Sequence, residues 1–178
     1  MGTQRDRRRP AAPGFTLMEM MIVVALAALI LAIGAPNLSE FRRNNRLTAI
    51  ANDVLASVQL ARTEAVKRQH SVSLCASDQP GAAAPACAAG GGLSGWIVFD
   101  DVDGDCQRDG DEAVIRGEGP LDASLHGSAD GACMSFAATG FRRSPPGGAA
   151  LTHLLICDER GTALQAGTSQ SAARGIEV

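Results

Sequence analysis

From Phe15 to Ala35 the chain reads FTLMEMMIVVALAALILAIGA, a run that is apolar all the way round a helix and in which Glu19 is the one ionisable residue. Such a run is long enough to cross a hydrocarbon core of about 30 Å. The pattern therefore predicts a membrane-inserted helix at the N-terminus. A secretory signal has a shorter apolar core, followed by small residues at a cleavage site on its far side. Here a basic stretch, Arg5 to Arg9, gives way to Gly14 just ahead of the run. Cleavage at that point leaves the apolar helix on the mature protein. Pro36 follows the run, and its missing backbone donor predicts a kink where the membrane ends.

Beyond Pro36 the hydrophobic period changes. Leu47, Ile50, Val54, Val58, Ala61 and Ala65 recur at spacings of three and four, with Arg46, Asn52, Asp53, Arg62, Lys67 and Arg68 mostly elsewhere. That is one apolar stripe on a helix continuing to about Gln69. After it come short alternating or continuous apolar runs punctuated by Gly and Asp. They predict strands near Ser71-Ala76, Gly95-Asp100, Ala113-Arg116, Ser124-His126, Cys133-Ala137, Thr152-Cys157 and Thr162-Gln165, with a last one at Gly175-Val178. The Ala/Gly/Pro-rich loop from Ser77 to Gly92 is expected to be mobile. The stripe needs a partner surface, and these strands supply it.

Composition narrows the kind of core. With 178 residues, no tyrosine, one tryptophan and five phenylalanines, the chain has room for one anchor and one domain built on small aliphatic side chains. Charge is unevenly placed. The first 14 residues hold four arginines and one aspartate, so removing them takes the net charge from −3 to −6. Residues 37–70 carry six basic and three acidic side chains, and residues from Ser71 onward six basic and fourteen acidic. A nucleic-acid surface needs concentrated positive charge, which an acidic head as a whole does not offer. The arginines before the apolar run keep that end cytoplasmic and put everything beyond Pro36 outside.

Five cysteines, Cys75, Cys87, Cys106, Cys133 and Cys157, then lie in a compartment that permits disulfides. None has zinc-site spacing. The expected pairs are Cys75 with Cys87 and Cys133 with Cys157. Cys106 is left free or replaces a member of either pair. The acidic stretch DDVDGDCQRDGDE invites a calcium reading, yet a loop with Gly104 at its sixth place begins at Phe99, and one with Gly110 there ends at Arg116. It reads as a solvated turn between strands, with Asp101, Asp103 and Asp105 kept as candidate cation ligands and no metal assigned. His70, His126 and His153 sit in no nucleophile or metal motif, and Ser135 and Ser144 have no elbow context. Neither catalysis nor a cofactor is expected.

GFTLMEMMIVVALAALILAIGAPNL resembles the type III signal of type IV pilins and of the pseudopilins of type II secretion. LCASDQ followed by a cysteine, LSGWIVFDDVDGD, FAATGFRR and LLICDERG are similar to the head of the GspH/FimT family of minor pilins and pseudopilins. The likeness then spans most of residues 15 to 176. It implies an α+β, pilin-like fold in which a long N-terminal helix, transmembrane in its first half, packs against an antiparallel β-sheet or sandwich head. Residues 1–14 become a leader cleaved between Gly14 and Phe15 by a prepilin peptidase, which also N-methylates Phe15. Residues 15–36 become the transmembrane and polymerisation helix, 37–70 its amphipathic continuation and 71–178 a periplasmic head on the inner membrane, later in a pilus or pseudopilus.

A carboxylate inside an apolar helix costs up to about 3 kcal/mol at mid-membrane and marks a partner. In the family Glu19 is expected to meet the terminal amine of a neighbouring subunit, so the partners implied are other major and minor pilins or pseudopilins. Some FimT-type members bind DNA during natural transformation through a Gly-Arg-x-Arg tail. This chain ends ARGIEV, without that pattern. Arg142, Arg143, Arg160 and Arg174 remain the candidate DNA contacts.

Overall fold

A computed structural model describes residues 14–88, 93–131, 133–146, 150–162 and 172–177, with the side chains of 35–37 outside that set. The chain divides into two compact units, Met1–Arg42 and Arg43–Val178, and one helix, α1 (Leu17–Arg68), belongs to both. The helix runs without a break across position 36, where a kink is expected, and the Pro36 side chain falls outside the described residues. In the first unit every described side chain of the helix is exposed, and even Met20 shows 47 % of its surface. The helix meets the length and composition needed to cross a membrane.

In the second unit the helix follows the predicted stripe. Leu47, Val54, Val58, Ala61 and Ala65 are buried, and Ile50 and Ala51 pack beside them half-buried. Lys67 and Arg68 occupy the last turn, where cations suit the carbonyl end of the helix. Gln69 then turns the chain out with φ 62°, its N–H donating to Ala65 O at 3.0 Å.

Among the described residues eight strands follow: β1 (Val72–Ala76), β2 (Trp96–Asp100), β3 (Val114–Glu118), β4 (Leu125–Ala129), β5 (Cys133–Phe136), β6 (Arg142–Arg143), β7 (His153–Asp158) and β8 (Arg174–Glu177). They form a five-stranded sheet in the order β3-β2-β1-β5-β6 and a three-stranded sheet in the order β4-β7-β8, with antiparallel neighbours throughout. Alternation splits the larger sheet into two faces. Leu74, Trp96, Val98, Met134 and Phe136 join the helix stripe, together with Leu125, Leu154, Ile156 and Ile176 of the smaller sheet, in the main core. Cys75, Ile97, Phe99 and Cys133 form a second cluster on the opposite face with Cys106. Both faces of β1 and β2 are therefore covered, which is why every residue in them is buried.

The small β6 pairs Arg143 with Ser135 and Arg142 with Phe136, and the sequence pattern did not predict it. A two-residue polar strand leaves no hydrophobic alternation to detect. The strand expected at Thr162-Gln165 lies outside the described residues apart from Thr162, which is in a turn. Of the loop from Ser77 to Gly92, expected to be mobile, residues 77–88 are tied down instead and 89–92 lie outside the described residues. Ala88 N–H donates to Ala76 O at 2.8 Å, Ser77 Oγ donates to Ala86 O at 2.8 Å, and Cys87 is bonded to Cys75. Gly95, in the GW element, lies close under that loop and against β3: a Cβ there would lie 2.6 Å from Pro80 Cγ and 2.4 Å from Glu118 O.

The second disulfide joins Cys106 to Cys133, with Cα atoms 5.9 Å apart. This corrects the expected Cys133–Cys157 pair. Cys157 lies on β7 of the smaller sheet, half-buried on the side away from Leu154 and Ile156, as a free thiol 3.6 Å from His126 O. Cys133 belongs to the other sheet and faces the second cluster, so the loop carrying Cys106 reaches it first.

Candidate functional site

The start of α1 is built by Thr16. Its Oγ1 accepts the Glu19 N–H at 3.2 Å and its carbonyl accepts the Met20 N–H at 3.2 Å, an N-cap. Thr16-Leu-Met-Glu19 has the spacing of a capping box, and it puts Glu19 in the first turn, where the helix dipole favours a carboxylate. Among the described residues the Glu19 carboxylate has no hydrogen-bond or ion-pair partner in its own chain. Phe15 is 72 % exposed, and nothing lies within 4 Å of a Cβ built on Gly14. Packing does not require glycine at that position.

The acidic loop between β2 and β3 is ordered by its own carboxylates. Asp101, fully buried, accepts hydrogen bonds from Ser73 Oγ and, at 3.4 Å, from Cys106 N–H. Asp103 accepts from Asp105 N–H at 3.2 Å, and Asp105 from Gln107 N–H at 2.7 Å. One ligand oxygen from each of Asp101, Asp103 and Asp105 falls within 4.8 Å of the others. Glu112, buried at 6 % exposure, closes the loop by accepting from Val102 N–H at 2.9 Å and Asp109 N–H at 3.0 Å. Burial pushes its carboxyl pKa up, and the nearby Asp101 and Asp103 add to that. Gly104 takes φ 76°, and a Cβ there would lie 1.5 Å from Arg143 Nη1, so the guanidinium rests on the turn.

The sequence reading missed Glu112 and Cys106. Counted from Asp101, a twelve-residue loop has Asp101, Asp103 and Asp105 at its first, third and fifth places and Glu112 at its twelfth. The sixth place is Cys106, with φ 67°. Requiring a glycine there hid the register.

The four candidate DNA-contacting arginines are divided between the sheets. Arg142 and Arg143 form β6, with Arg142 Nη2 donating to Leu151 O at 2.6 Å and Arg143 Nη1 to Ser71 Oγ at 3.2 Å. Arg160, after β7, grips Asp158 at 2.6 Å and donates to Asn44 Oδ1 at 3.0 Å. Arg174 opens β8 and donates to Ala172 O and Ala173 O. The histidines are likewise scattered: His70 lies 3.8 Å from Asp100, His126 is exposed on β4, and His153 contacts Asp130 at 2.9 Å on the surface.

Two family models match the chain. The one described as Type II transport protein GspH covers residues 51–174, and the one described as Prokaryotic N-terminal methylation motif covers residues 10–35. No curated protein and no solved structure matches it. The motif match contains Gly14, Phe15 and Glu19, the head match runs over well more than half of the chain, and both fit a capped apolar helix leading into antiparallel sheets. The chain belongs to the GspH/FimT family of pilin-like proteins.

Proposed function

We propose that this chain, a member of a family of structural rather than enzymatic components, is a minor type IV pilin that supports pilus biogenesis at or near the tip. A prepilin peptidase cuts between Gly14 and Phe15 and methylates Phe15. The helix beginning there holds the subunit in the inner membrane with its head in the periplasm, then docks it among other pilins. The observation carrying this reading is the lone Glu19 carboxylate, without a partner among the described residues of its own chain, in the first turn of a helix whose first stretch, Leu17 to Ile33, exposes its apolar side chains. A neighbouring subunit's new terminal amine is the complementary charge.

The test uses two variants of the full chain. Gly14→Ala fits without a clash, so the longer precursor it should accumulate reports peptidase recognition and not misfolding. Glu19→Val should be processed normally yet recovered from sheared filaments at less than about a tenth of the wild-type amount, a loss equivalent to ~1.4 kcal/mol or more. Normal-length protein from the first variant, or full recruitment of the second, contradicts the proposal. A second reading, a minor pseudopilin of a type II secretion system, is favoured by the description of the matching head family. Deleting the gene separates them: lost pili support the first, and lost protein secretion with intact pili the second.

A further inference from the structure

We propose that Asp101 to Glu112 is a calcium-binding loop, with Asp101, Asp103, Asp105 and Glu112 as side-chain ligands and the Gln107 carbonyl as a fifth. Calcium takes six to eight oxygens, and a twelve-residue loop supplies them from places one, three, five, seven and twelve, with a left-handed residue at six. This loop has acids at one, three, five and twelve, and the left-handed residue at six is Cys106. Each oxygen of the Glu112 carboxylate accepts one backbone N–H and retains a lone pair for a metal.

A separate observation comes from the sheet beneath the loop. Ser135 Oγ, on a residue only 1 % exposed, has no hydrogen-bond partner among the described residues. An orphaned buried hydroxyl normally marks a missing partner. Its surroundings show which way it faces. Across the sheet Ser135 lies opposite Ser73, which donates to Asp101, and opposite Arg143, which rests on Gly104. Two residues along its own strand is Cys133, disulfide-bonded to Cys106. Three neighbours on that face thus reach places one, four and six of the loop, so the Ser135 hydroxyl lies on the face of the sheet that the loop covers. There it can serve a water or carboxylate that coordinates the metal. The clustered acids are otherwise balanced nearby by Arg143 and by Arg108, whose guanidinium is turned to the Glu112 carbonyl.

The test is calorimetric titration of the metal-stripped full-length chain, in uncharged detergent micelles, with calcium chloride. One saturable site with a dissociation constant of roughly 0.1–1 mM is expected, the range of extracellular calcium modules, together with a raised thermal midpoint. Asp103→Asn keeps the turn-forming oxygen of an exposed side chain while removing its charge, and should weaken binding at least about tenfold. Glu112→Gln should do the same, and Asp103→Asn carries the test if Glu112→Gln fails to fold. Three results would overturn the proposal: no saturable heat up to about 10 mM calcium from protein that melts cooperatively, equal binding by wild type and both variants, or equal affinity for magnesium chloride.

Discussion

One helix, α1, is apolar in two different ways. From Leu17 to Ile33 it is hydrophobic on all sides and exposed, whereas from Leu47 to Ala65 only a stripe is hydrophobic and that stripe is buried. The second half finds its partner within the chain, in Trp96, Val98, Met134 and Phe136 of the larger sheet. The first half has none among the described residues, and in the assembly proposed above lipid and other subunits take that place. Folding and assembly are thereby assigned to separate stretches of one secondary-structure element. A side chain in the first stretch should affect assembly while leaving the head's stability alone, and one in the second should do the reverse.

The sharpest way to break this contrast is the same substitution in both stretches. Leu47→Ala, at a fully buried position, should destabilise the head by about 2–5 kcal/mol through lost burial and an unfilled cavity. Leu29→Ala, where leucine is 61 % exposed, should leave denaturant unfolding of the detergent-solubilised chain unchanged. Equal losses would mean that the head depends on both stretches. A smaller effect tests the polar link within the core. Trp96 Nε1 donates to Ser57 Oγ at 2.9 Å, and Ser57 in turn donates to Asp53 O at 2.9 Å. Ser57→Ala orphans a buried indole N–H and should cost roughly 1–3 kcal/mol by chemical denaturation. Ser57→Thr, which keeps the hydroxyl, should cost less.

How much of this was legible depended on whether the signal was periodic. The stripe from Leu47 to Ala65 and the strands around Trp96 and Cys133 could be read because burial imposes a period of 3.6 or 2 on side-chain choice. Strand ends moved by two or three residues where polar or small residues continue a ladder, as at Gly117 and Glu118 in β3 and from Gly127 to Ala129 in β4. Ser57 sits among apolar neighbours as a buried polar exception, and only the position of the Trp96 ring explains it. Sequence left the Cys106–Cys133 bond only as an alternative to Cys133–Cys157, because two loops of similar reach compete for Cys133 and the sheet that each joins is a tertiary fact. The acidic loop was hidden differently. Its spacing was present, but Cys106 occupies the left-handed position that glycine usually marks.

The smallest expected effect concerns two carboxylates in the head that are shifted in opposite directions. The Arg160 guanidinium holds the Asp158 pKa below its ordinary value, while burial pushes that of Glu112 up. For Asp158 the unfolded chain binds a proton more readily. Its contribution to stability is present above the ordinary carboxylate range, near pH 4, and is lost as pH falls through the depressed folded value. For Glu112 the folded chain keeps the proton longer, so stability falls as pH rises from the ordinary value through the raised one. With EDTA present, Asp158→Asn should lower the thermal midpoint at neutral pH and flatten its decline in acid. Glu112→Gln should raise the midpoint at neutral pH, because it removes a buried charge held near Asp101 and Asp103. Added calcium reverses the second difference if the loop binds it, since wild type gains a ligand that the glutamine variant holds poorly. Thermal melts from pH 3 to 8 of the three proteins, each with EDTA and with calcium, read both signs at once. A midpoint for Glu112→Gln that lies below wild type in EDTA would show that the two N–H bonds to Glu112 outweigh its burial, and that the loop is held by its carboxylate without need of a cation.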